Sequence, residues 1–135
     1  MTCSYEIDPT QRLARLTARG RVDVREMTRT AIAMVEDPAF APGTDQLVDL
    51  SAVTGSDGVF RNLRALASRG PDFRDRLEGG RLAIVAPGDL VFGLARLYVA
   101  AGRDLPVEAR VFREAEAARR WLDVEPVPES DDHPD

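Results

Sequence analysis

A single α/β domain with a mostly parallel five-stranded sheet is predicted by three observations. Strand-like and helix-like stretches alternate after an opening hairpin. The run Leu82-Ala83-Ile84-Val85-Ala86 is apolar throughout, and glycine or proline marks nearly every transition. Alternation of this kind builds parallel sheets through right-handed crossovers. A strand apolar at every position is covered on both faces. The expected order is β-β-α-β-α-β-α-β-α, with helices covering the sheet.

Cys3-Ser4-Tyr5-Glu6-Ile7 alternates apolar and polar residues, the period of a strand. Asp8-Pro9-Thr10-Gln11 supplies turn chemistry, and Arg12 to Ala18 returns as a second strand that Gly20 and Arg21 break. Asp23 caps the first helix with Glu26 three residues on, as in a capping box. Val24, Met27, Ala31, Met34 and Val35 then recur at helical spacing and form one buried stripe. A methionine pair on such a stripe reads as core. Pro38, Pro42 and Gly43 end that helix.

Gln46 to Val53 is the third strand, and Gly58 to Arg69 the second helix, stopped by Gly70-Pro71. The charged segment Asp72 to Gly80 reads as an exposed connection. After the strand at 82–86, Asp89 caps a third helix, Leu90 to Ala101, that stops at Gly102. Ala109 to Phe112 is the fifth strand. A final helix from about Glu114 to Leu122 turns Ala118, Trp121 and Leu122 inward.

The 135 residues suit one domain. No apolar run approaches the roughly 20 residues of a membrane helix, and Met1 to Glu6 lacks the basic and apolar segments of a signal peptide. A cytoplasmic, non-membrane protein is therefore expected. Of 23 acidic residues six lie in 123–135, which leaves 17 acids against 18 arginines in the body. That balance offers nucleic acid no basic footprint. The expected domain is 1–122, followed by an acidic, proline-containing, disordered tail at 123–135. With one cysteine, Cys3, and one histidine, His133 in the tail, the body holds no His/Cys metal set and no nucleophile–histidine pair. No metal and no cofactor are expected.

The stretch Leu47 to Gly58 resembles the central motif of the STAS family (sulfate-transporter and anti-sigma-factor antagonist domains, SpoIIAA-like). There Asp-Leu-Ser leads within a few residues to Asp-Ser-Ser-Gly, and the serine after the second aspartate is a phosphorylation switch. Asp49-Leu50-Ser51, Val53 and Asp57 match at that spacing. Leu82 to Leu90, strand then Ala-Pro-Gly-Asp then helix, and Val111-Phe112 followed by Ala117, Trp121 and Leu122 are also similar to small bacterial SpoIIAA-like proteins. The resemblance spans residues 3–122. It implies a stand-alone regulatory or protein-binding module without catalysis. Gly58 stands at the position of the family's phosphoserine, so the resemblance implies a member whose switch is lost or moved, with Ser56 as the remaining nearby hydroxyl.

Open α/β sheets bind ligands at strand ends, which makes Asp49, Ser51, Thr54, Ser56, Asp57 and Gly58 the candidate binding crevice. Asp57 needs no function if it only caps a helix. The third helix is apolar nearly all round, with Arg96 its only charge between Leu90 and Ala101. Such a helix must be covered on more than one side. Its excess forms a dimer interface or, beside Phe92, Leu94 and Tyr98, a pocket for a small apolar or lipid-like ligand. Three readings stand: a module that binds another protein or itself, a binder of such a ligand, and, third, an enzyme built on Asp49 or Asp57.

Overall fold

The structure, a computed structural model, describes residues 2–57, 73–101 and 107–123. Strand β1 (Thr2–Asp8) turns into β2 (Leu13–Asp23), followed by helix α1 (Val24–Glu36), strand β3 (Asp45–Asp57) and a single helical turn, α2 (Arg74–Leu77). Strand β4 (Arg81–Val85), helix α3 (Asp89–Ala101), strand β5 (Glu108–Phe112) and helix α4 (Ala115–Leu122) complete it. The sheet order is β1-β2-β3-β4-β5, with only β1–β2 antiparallel. This is the expected mostly parallel α/β sheet. The helix expected over 58–69, with Gly58 at its start, lies outside the described residues.

Successive strand residues point to opposite faces, and the core divides accordingly. Ala14, Leu16, Val48, Leu82 and Ile84 face helices α1 and α3, together with Met34, Val35 and Ala95. Leu13, Leu47, Ala83 and Val85 face α4 through Ala118 and Leu122. Asp23 caps α1 as expected, its carboxylate accepting from Arg25 N at 2.9 Å.

The ends of two strands differ most from the sequence expectation. Gly20 and Arg21 do not break β2. The strand runs on to Asp23, with Gly20 at a φ of 75° and register irregularities at Thr17/Arg19 and Gly20/Arg21. Opposite them β3 carries an extra residue each time, and it too runs on, past Val53 to Asp57. Bulges of this kind bend a strand without ending its pairing. Because β4 pairs only with Gln46 to Asp49, the ends of β2 and β3 form a two-stranded ribbon beyond the neighbouring strand.

The segment 72–80 is not merely an exposed connection either. Leu77 is buried and Phe73 packs into the cluster under α1, an i, i+4 pair docking one helical turn. Arg76 fixes the turn by donating to Phe40 O at 2.7 Å. At Gly80 a Cβ would meet Thr44 O at 2.6 Å, so the closing turn excludes any side chain.

Trp121 is half-buried, unlike Ala118 and Leu122, which the structure buries as the helical spacing predicts. The guanidinium groups of Arg81 and Arg110 lie 5.4 and 5.7 Å from the centre of its ring, with the Phe112 ring at 5.6 Å. Arg81 also donates to Trp121 O and Leu122 O at 2.6 and 3.0 Å, filling carbonyls that the helix end leaves without partners.

Candidate functional site

Between the sheet and the α1–α3 layer lies an apolar cavity of about 140 Å³. Its walls follow from the periodicities just described. From the sheet come Leu16, Val48, Leu50 and Ile84, and from α1 come Met27, Ala31 and Met34. Val91, Leu94, Ala95 and Tyr98 close it from α3, one face of that helix at i, i+3, i+4 and i+7. Val22 and Val53 line the end where the β2–β3 ribbon leaves the sheet. Leu50 and Val53 differ by an odd number of residues. They reach one face only because the extra residue between Asp49 and Ala52 reverses the alternation.

The volume matters. Interior voids of roughly 150 Å³ lined by aliphatic and aromatic side chains stay free of water and admit a benzene-sized molecule. Two described lining residues carry polar side-chain atoms able to hydrogen-bond, Gln46 and Tyr98. Gln46, 8% exposed, sits at the start of β3 in register with Leu82 of β4. Tyr98, in the last turns of α3, packs against the cluster of Leu82, Ile84, Ala86 and Ala95. Burial raises the Tyr98 hydroxyl above its ordinary range, so it remains a neutral donor.

The apolar trio splits. Leu94 and Tyr98 line the cavity, whereas the Phe92 ring lies beneath the Arg113 guanidinium at 4.2 Å, and Arg113 is itself bonded to Asp89 at 2.8 Å and Pro87 O at 3.1 Å. At 100° per residue Phe92 lies about 200° from Leu94 around the helix, so the two serve different neighbours. Leu90 and Leu97 are exposed, at 67% and 48%.

Asp49, Ser51 and Thr54 lie elsewhere. Asp49 is half-buried, on the strand face opposite Val48 and Leu50, and accepts from Ser51 N at 2.9 Å. Ser51 and Thr54 are exposed. The backbone of Ser56 and Asp57 continues β3, in register with Val22 and Asp23, while Gly58 lies outside the described residues. None of Asp49, Ser51 and Thr54 lines the cavity; within the same motif, the apolar Val48, Leu50 and Val53 do. Among the described residues no three His, Cys, Asp or Glu side chains gather as a metal site, and no helix is long and apolar enough to cross a membrane.

Sequence reasoning missed Gln46, Met27, Met34, Ala95, Val22 and Val53 as wall residues. A signal existed for Gln46, which shares the parity of Val48 and Leu50 and is the one polar side chain among them. For the others, a wall residue and a core residue have the same periodicity.

No protein-family profile and no curated protein matches this chain. Among solved structures, it is similar to that of an uncharacterized protein of the DUF3478 family with a SpoIIAA-like fold, from Shewanella loihica PV-4. The TM-score is 0.56 at 18% identity, over 90% of this chain and 92% of that one. At that identity the likeness concerns the fold, and the chain folds as a SpoIIAA-like, STAS-like domain.

Proposed function

We propose that this SpoIIAA-like domain is a non-catalytic binding module whose ligand is a small, largely apolar molecule held between the sheet and helices α1 and α3. The cavity carries this reading: about 140 Å³, walled among the described residues almost wholly by aliphatic side chains. An unfilled pocket of that size forfeits packing contacts along its described walls, and an occupant restores them. On this reading the occupant is the size of one ring or a short chain.

Native mass spectrometry of gently purified protein, followed by solvent extraction, tests the proposal. A stoichiometric small organic molecule, or saturable uptake of a benzene-sized probe, is expected. The mass of the chain alone together with no uptake of such probes sinks it.

A second reading, protein–protein contact or self-association, is favoured by the outer face of α3. Leu90, Gly93, Leu97 and Ala100 are all exposed and recur along one stripe of the helix. Light scattering of Leu97→Asp decides this one: an oligomer that the substitution dissolves supports it, and a monomer of unchanged mass in both proteins removes it. Under either reading Gly58 leaves the family's switch position without an acceptor hydroxyl. Phosphopeptide mapping that finds stoichiometric phosphate on Ser56 overturns the loss of the switch.

A further inference from the structure

The cavity is not uniformly greasy: among its described lining residues Gln46 brings a side-chain amide. Gln46 is more than nine-tenths buried and lines the cavity; no side-chain hydrogen bond joins it to another described residue, and its amide atoms keep some accessible surface. An amide so placed loses most of its hydration, and no described residue makes up the loss. Leaving such a group in an aliphatic wall is costly, and leucine would fill the position at no such cost. Tyr98, from the last turns of α3, adds a hydroxyl to the same lining, and α3 returns antiparallel to β4 so that these turns lie toward the strand starts where Gln46 sits. One end of the cavity thus offers hydrogen-bond donors and acceptors, while the other, at Val22, Val24, Val53 and Val91, offers none.

Charge narrows the class further. No arginine lines the cavity among the described residues, and the chain contains no lysine. Against the described walls an ionised head group would lose its hydration with no counter-charge. We infer that the ligand is a neutral amphiphile of about one ring's size, a hydroxyl or carbonyl compound whose polar head bonds the Gln46 amide and whose apolar body points toward Val22 and Val53. This inference rests on the cavity-binding reading and adds the polarity, charge and orientation of the ligand.

The protein carries its own reporters. Two of its three methionines, Met27 and Met34, line the cavity. Methionine-methyl-labelled full-length protein is titrated with toluene, phenol and benzoate, the wild type alongside Gln46→Leu. In the wild type, phenol should bind roughly tenfold more tightly than toluene, the worth of one buried neutral hydrogen bond, with benzoate weakest. In Gln46→Leu that preference should vanish, through weaker phenol and stronger toluene binding. Because Gln46→Leu removes a largely buried amide that no described residue bonds, its melting temperature should hold or rise, so lost phenol binding would not be a folding defect. Equal wild-type affinity for toluene and phenol overturns the head-group inference while leaving the cavity reading intact. Benzoate binding most tightly overturns the neutrality of the head. No shift of the Met27 or Met34 methyls with any probe overturns both this inference and the cavity reading.

Discussion

The two faces of the sheet solve the same problem differently. On the α4 face Ala118 and Leu122 are fully buried against Leu13, Leu47 and Ala83, and Arg81 ties the helix end to the sheet through two carbonyl bonds. The α1–α3 face is as apolar, yet it keeps an open cavity and a glutamine side chain without a hydrogen bond to any described residue. An interior usually packs to the density of an organic crystal. The contrast teaches that apolar composition alone does not close a core. Which side chains face one another, and at what helix spacing, decides whether a face is filled or left as a container.

Paired substitutions put this contrast at risk. The largest effect is expected from Ala118→Leu, which adds carbons where the alanine is 0% exposed. Overpacking there should cost roughly 1–3 kcal/mol in denaturant unfolding; a neutral outcome would show that the α4 face is as slack as the other.

Trp121→Ala should follow at about 2 kcal/mol by the same titration, below the ~3–5 kcal/mol of a fully buried ring, because the indole is half-buried beside two arginines. A loss under ~1 kcal/mol would mean that the Arg81 bonds to the helix carbonyls suffice without the ring.

Ala95→Leu is the counterpart of Ala118→Leu on the cavity side. Ala95 is 6% exposed and lines the void, so the added carbons enter open space. The change should be neutral or stabilise by up to ~1 kcal/mol and should abolish uptake of benzene-sized probes. A destabilisation matching Ala118→Leu would erase the distinction between the faces.

The smallest expected effect is on pH dependence, at the α1 face's outer edge. Tyr5 donates to Asp37 at 2.8 Å. Bonds from Ala39 N and Tyr5 hold the Asp37 carboxyl below its ordinary value, and the bond to Asp37 holds the Tyr5 hydroxyl above its own. A depressed carboxyl contributes stability above the ordinary aspartate range, about pH 4, and loses it as pH falls through its folded value. A raised tyrosine contributes below about pH 10 and loses it as pH rises through its folded value. Thermal melts of Asp37→Asn should therefore show a flatter profile at both extremes than the wild type. Superimposable profiles would place the pair outside the stability balance.

Much of this was legible in the chain. The order of elements, the Asp23 cap and the inward side of α4 follow from local chemistry: alternation for β1, an i, i+3, i+4 stripe for α1, and apolar continuity for β4. The sequence by itself also determined that α3 would have more apolar surface than one neighbour can cover, since its composition from Leu90 to Ala101 allows nothing else. Tertiary structure decided the rest. Whether Gly20 ends a strand or bulges it depends on a partner strand 33 residues away, Val53 in the register. Whether Leu50 and Val53 share a wall depends on an extra residue that only the pairing with β2 defines. Whether Phe92 or Leu94 meets the cavity depends on the rotation of α3 against β3 and β5. A cavity is the space between elements, and no single element's sequence specifies it.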